Sequence, residues 1–132
     1  MMTTRRKFLS HSSLVLAAAA LGSTILGAPA ALAHHGWRWT EGGNFELVGY
    51  IKTVQLGNPH GVLTVDAEGE IWTVEVGQPW RNERAGLKDE MLAVGTEVTI
   101  SGERAADPAD KRVKAERVII DGETYDLYPD RD

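Results

Sequence analysis

Imidazole is the side chain best suited to do chemistry in this sequence. Histidine stands at positions 11, 34, 35 and 60 of the 132 residues, and cysteine is absent. The missing cysteine excludes thiol nucleophiles, iron–sulfur clusters, cysteine zinc sites and disulfides, so any metal must be held by His, carboxylates or backbone groups. His34 and His35 are adjacent, and His60 sits in Asn58-Pro59-His60-Gly61, a run that starts a turn because proline cannot donate to a strand ladder. A histidine that begins a chain binds a metal through its amine and imidazole together. A histidine at the second position closes a chelate through the intervening amide nitrogen. Such nitrogen donors suit Cu(II), which tops the divalent affinity order.

The residues before His34 decide whether that amine exists. Positions 1–33 contain no Asp or Glu, carry Arg5, Arg6 and Lys7, and run apolar from Leu14 through Leu26 toward Ala33. This is the make-up of a targeting segment. Thr4-Arg5-Arg6-Lys7-Phe8-Leu9 resembles the twin-arginine signal read by the bacterial Tat translocon. Ala31-Leu32-Ala33 supplies the small-x-small pattern for signal peptidase, whereas Ala28-Pro29-Ala30 puts proline inside the triplet. Cleavage after Ala33 is expected, with His34 first in the mature protein and a periplasmic destination. Gly22, Gly27 and Pro29 weaken a spanning helix; a retained N-terminal membrane anchor is the alternative.

Removing 33 residues from 132 leaves 99, enough for one small domain. Three of the 14 cations leave with the segment, so 11 face the 19 acids and the formal balance falls to −8. Scattered cations in such a field disfavour phosphate backbones, and no nucleic-acid partner is expected. After processing, no stable membrane insertion is expected either.

The candidate copper site therefore contains His34, His35 and His60. In an extended tail His34 and His35 point to opposite faces, so they compete for one metal unless the amide between them also ligates. The plain alternative makes the pair a solvated tail and His60 a turn residue. Trp37 and Trp39, beside Asn58, are candidates for stacking on a sugar or peptide ligand, or else for packing. Trp72 and Trp80 read as buried caps at the open ends of a small domain. Asp89-Glu90 and Asp107-Pro108-Ala109-Asp110 read as solvated loops, since neither spacing matches a calcium loop. No serine elbow, phosphate loop or dinucleotide fingerprint occurs, and no catalytic residue is assigned.

The elements that must position these groups read as all-β. After an N-terminal segment over 34–44, the domain over 45–132 carries short Val-, Ile-, Thr- and Tyr-rich runs broken by Gly, Pro, Asn and Asp. Strands are expected at Phe45 to Leu56 with Gly49 as a bend, Val62 to Ala67, Ile71 to Val76, Glu97 to Ser101, Val113 to Ile120 and Thr124 to Tyr128. Glu68-Gly69 and Asp121-Gly122 read as hairpin turns. Gln78-Pro79-Trp80 opens a short helix that Gly86 stops. Three strands, a helix and two or three more strands match an OB-like Greek-key barrel of five or six strands, expected here without parallel pairs. Its core is expected to include Leu47, Ile51, Val65, Val74, Val98 and Ile100.

His34-His35-Gly36-Trp37, Asn58-Pro59-His60, Gly77-Gln78-Pro79 and Gly95-Thr96-Glu97-Val98 with Gly102 together resemble a family of small exported bacterial proteins of unknown function. Its members open with a His-His pair, a small residue and an aromatic; Gly36 and Trp37 stand where Ser and Phe are more usual. The resemblance implies an OB-like barrel in the periplasm and carries no activity with it. Three readings follow: a copper-binding periplasmic module, a metal-free module gripping a small ligand, glycan or protein, and an oxidative copper enzyme built on an N-terminal His brace. The last needs an open coordination position and a substrate surface.

Overall fold

The structure is a computed structural model that describes residues 35–131. The targeting segment, its cleavage point and His34 lie outside the described residues. For His35 the backbone alone is described.

Among the described residues six strands form: β1 (Phe45–Gln55), β2 (Val62–Ala67), β3 (Glu70–Glu75), β4 (Glu97–Arg104), β5 (Arg112–Ile120) and β6 (Glu123–Asp126), with a helix, α1 (Pro79–Arg84), between β3 and β4. Short 3-10 turns occupy His35–Trp37 and Asp89–Met91. The sheet order is β3-β2-β1-β4-β5-β6, and β3 also pairs with β5. That extra pairing closes a five-stranded OB-like barrel and leaves β6 as an addition along β5.

The closing pair is parallel, joining Thr73–Glu75 to Arg112–Lys114, which corrects the expectation of a barrel without parallel pairs. Parity requires it. Two antiparallel steps lead from β1 to β3 and two more from β1 to β5, so β3 and β5 both run in the direction of β1 and can meet only in parallel.

Both hairpin turns place two consecutive residues in the left-handed region: Glu68 and Gly69 at φ 54° and 85°, Asp121 and Gly122 at 51° and 78°. These are the type I′ dihedrals whose twist matches that of the flanking strands. In α1, Gly86 at φ 85° stops the helix. Its N–H bonds the Glu83 carbonyl and the Leu87 N–H bonds the Asn82 carbonyl, a Schellman ending that satisfies the last free carbonyls.

Inward positions alternate along the strands, and Leu47, Ile51, Val65, Val74, Val98 and Ile100 are all buried, as expected. Leu63, Val113 and Val118 complete the same core. Trp72 is buried and lies 5.1 Å from Phe45 between ring centres. Trp80 differs from expectation: it is 53% exposed. At about 100° per residue, a side chain two positions before Asn82 lies on the opposite side of the helix, and Asn82 takes the inward side. Buried Asn82 donates from Nδ2 to the Gly77 carbonyl (3.1 Å) and accepts the Gly77 N–H at Oδ1 (2.9 Å).

Candidate functional site

The outer face of β5 carries Arg112, Lys114 and Glu116, which alternate with inward Val113 and Ala115. A strand of period two puts such charges in water when nothing lies outside it. Here both ends of the described chain cover them. Residues 35–41 cross the outside of the barrel and are tied to the end of β4 by a Thr40–Ala105 bridge, by the Glu41 N–H on the Arg104 carbonyl and by the Ala106 N–H on the Trp39 carbonyl. From the other terminus, the Leu127 N–H bonds the Glu116 carbonyl. Glu75, Glu103, Lys114 and Glu116 are buried as a result.

Buried charges must find partners, and these form two groups. In the first, Glu75 at the end of β3 meets three bases: Oε1 lies 2.7 Å from His60 Nε2 and 3.9 Å from Lys114 Nζ, and Oε2 lies 3.7 Å from Arg112 Nη1. In the second, Arg131 bridges two carboxylates, with Nη2 2.6 Å from Glu103 Oε1 and Nε 3.4 Å from Glu116 Oε1. Thr40 Oγ1 donates to the other Glu103 oxygen at 2.5 Å.

The tryptophans roof both groups. The Arg131 guanidinium stacks 3.8 Å from the Trp37 ring centre, Arg112 lies 3.8 Å from that of Trp39, and Lys114 Nζ is 5.3 Å from that of Trp37. Tyr128 meets Trp37 edge-on at 5.0 Å, and Arg81 lies 4.2 Å from the Tyr128 ring centre. Cation–π contacts of this kind gain strength where water is excluded. Burial pushes the Lys114 ammonium below its ordinary pKa, against the pull of Glu75. Burial likewise raises the Glu116 carboxyl above its ordinary value, opposed chiefly by Arg131. Among the described residues, Glu116 Oε2 has no hydrogen-bond partner.

His60 is half-buried on the β1–β2 loop and joins the first group. Asn58 is exposed and lines, with His60, Pro59 and Gln55, a shallow cleft at that loop. Trp37 is buried and Trp39 half-buried; both rings lie against the cations of the cluster. The backbone at Gly36 runs close to the first group, since a Cβ there would stand 3.7 Å from Lys114 Nζ. Among the described residues, no group of three or more His, Asp or Glu side chains is arranged to hold a metal. None of their helices is long and apolar enough to cross a membrane.

Glu75, Glu103, Lys114, Glu116 and Arg131 were not singled out from the sequence. The alternation of charge with Val and Ala along β5 was visible there, but it reads as an ordinary solvated face until the covering segments are placed.

No curated protein matches the chain. Among solved structures, the chain is similar to one in the crystal structure of the S. pombe Stn1-Ten1 complex, at 19% identity and a TM-score of 0.48, over 58% of this chain and 57% of that one. It is also similar to the ZRD-deleted mutant of TiaS in complex with agmatine, at 14% identity and a TM-score of 0.49, over 67% of this chain and 27% of that one. The chain thus spans little more than half of one matched chain and about a quarter of the other. The barrel assignment rests on the strand order itself. The profile of a family of unknown function, DUF6152, matches residues 23–113, most of the chain, and the chain belongs to that family.

Proposed function

We propose that this chain is an exported periplasmic binding protein that holds one Cu(II) between its N-terminus and the β1–β2 loop. The His34 amine and imidazole form one arm, His60 forms the other, and His35 competes with His34. One observation carries the reading: Gly36, two residues after His34, runs beside Lys114, whose ammonium shares the Glu75 carboxylate oxygen with His60. The donor set of amine and imidazoles fits Cu(II), and copper bound there would join the terminus to the loop. Export rests on Arg5-Arg6 and the acid-free apolar segment; without cleavage after Ala33 the amine is a peptide nitrogen and the arm is lost. No catalytic role is assigned to any residue.

Isothermal titration with Cu(II) tests this on protein beginning at His34, on its His60→Ala variant and on a form extended by one residue. One equivalent should bind the parent protein. His60→Ala should weaken binding by at least about tenfold, in keeping with loss of a ligand, and the extension should abolish the brace. Unchanged binding in His60→Ala would leave a terminal chelate alone.

A second reading, a metal-free binding module, draws on the outer sheet face. Val48, Tyr50 and Ile71 are about half exposed there, and Tyr50 and Ile71 flank Asp66 in one cross-strand row. Equal, weak copper binding by all three proteins would favour it.

A further inference from the structure

We propose that the bare outer face of β1, β2 and β3 docks a basic peptide segment of a partner protein, one whose apolar centre is flanked by lysine or arginine. This deepens the metal-free reading and uses no residue of the copper site.

Alternation puts Val48 and Tyr50 of β1 on the outside of the barrel, because Leu47, Gly49 and Ile51 take the inside. Tyr50 lies opposite Asp66 on one side and Glu97 on the other, and Asp66 lies opposite Ile71. Neighbouring strands stand about 4.8 Å apart, so Tyr50 and Ile71 flank Asp66 across roughly 10 Å. Val48 is 49% exposed, Tyr50 53% and Ile71 51%. Single apolar side chains in solvent are ordinary, whereas a group of them on one face marks a surface that meets something else.

The strip continues into a cleft. Residues 45–48 pair with β4 but lie beyond the pairing with β2, which starts at Tyr50. Beside them, at the β2–β3 hairpin, an open cleft of about 330 Å³ is lined by Val48, Ala67 and Trp72 and by the carboxylates of Glu46, Glu68 and Glu70.

Charge selects the occupant. Acids stand at both ends of the strip: Glu46 and Glu68 beside the cleft, Asp66 and Glu97 in the row of Tyr50. Glu70 is paired with Lys111 at 3.0 Å. Among the described residues the other four acids have no ion-pair partner. Lys52, exposed two residues past Tyr50, is the cation of β1. The outer face of β5 meets its own charges with partners and a roof of chain ends; the face of β1 to β3 has neither. An uncovered apolar strip between unpaired acids complements a partner that brings cations. A second copy of this chain would set the same acids against it, and a nucleic acid would set phosphates there, so both are repelled.

Spacing defines the segment. Glu46 and Tyr50 are four residues apart on β1, about 13 Å at the rise of a strand. An extended peptide rises equally, so basic residues four positions apart reach the two acidic ends and leave three residues over Val48 and Tyr50.

The probe is a blocked seven-residue peptide of two lysines, three leucines and two lysines, titrated by nitrogen-15 NMR into metal-free protein beginning at His34. Saturable one-to-one binding is expected, with shifts at the amides over 46–50 and 66–71 and at Glu97. Affinity should fall by at least about tenfold when serine replaces the leucines or the lysines, and equally in Tyr50→Ala/Ile71→Ala and in Glu46→Lys/Glu97→Lys protein. Glu123→Lys on β6, three strands from β1, should stay within about twofold because salt screens a distant surface charge. Absence of binding, shifts that map elsewhere, or an equal loss in Glu123→Lys would overturn the inference. Equal binding of the peptide without lysines would overturn the basic occupant and uphold the metal-free reading. Self-association in sedimentation equilibrium that Tyr50→Ala/Ile71→Ala removes would overturn it in favour of a second copy. Should that variant fail to fold, the charge-reversed protein and the altered peptides still decide. Mapped binding in protein that takes up no copper would uphold the docking surface and overturn the copper reading alone.

Discussion

Arg131 stacks on Trp37, its guanidinium carbon 3.8 Å from the ring centre, so the two ends of the described chain meet on the outside of β5. The same guanidinium serves Glu103 and Glu116. A residue near the C-terminus therefore both supports the N-terminal roof and neutralises two buried acids.

Arg131→Ala should destabilise the domain by about 2–4 kcal/mol. Removing one partner of a buried pair costs up to about 5 kcal/mol, and the Arg131 side chain, 27% exposed, brings the figure down by solvent screening. Urea denaturation of the variant checks this. A change under about 0.5 kcal/mol would mean that the two carboxylates are satisfied without it.

Glu116 makes the pH dependence specific. Burial raises its carboxyl above the ordinary value near 4.5. The group therefore binds its proton more tightly folded than unfolded. Its favourable contribution is complete below the unfolded pKa and is lost as pH rises through the folded one. Glu116→Gln removes that loss. The variant should match or exceed the parent at neutral pH, and its relative advantage should disappear as the pH is lowered below that ordinary value. Urea midpoints measured from pH 4 to pH 7.5 would show it; a variant whose relative stability worsens as pH rises would refute the sign.

Gly49 lies in β1 against the end of β2, and a Cβ there would overlap the Asp66 carbonyl and stand 2.8 Å from Val65 Cγ1; the irregularity of β1 falls later, between Ile51 and Thr53. The φ of Gly49 is not in the left-handed region, so the restriction is one of space. Gly49→Ala should cost about 1–3 kcal/mol, the range for overpacking, with the loss read from thermal or urea unfolding. A neutral result would show that β1 and β2 can separate without penalty.

Trp72 and Trp80 are separated by their environments. Trp72→Ala, at a site 6% exposed, should cost about 3–5 kcal/mol. Trp80→Ala should stay within about 0.5 kcal/mol, since that ring is half in solvent and its contact with the Arg81 guanidinium, at 4.6 Å, is on the surface. Parallel denaturation curves of the two variants distinguish the roles, and equal losses would contradict the exposure of Trp80.

Period-two alternation, paired left-handed turn residues and the Pro79…Gly86 bracket are local properties, so the strands, hairpins and helix were legible from residue order alone. The six core positions followed from the same alternation. The short helix was legible in extent, but its facing was not: Trp80 looks like core by type, and the Asn82 clamp on Gly77 turned it outward. Parallel closure between β3 and β5 was decided by topology, because two antiparallel steps on each side of β1 leave the ends pointing alike. The histidines were visible as chemistry, whereas Glu75 was one more strand acid. Outward charges on a strand are ordinary in water. Only the arrival of Trp37, Trp39 and Arg131 from the two ends of the chain removed that water, and with it the freedom of Glu75, Glu103, Lys114 and Glu116 to remain unpaired. Burial by segments distant in sequence is a property of the assembled fold, and no local pattern encodes it.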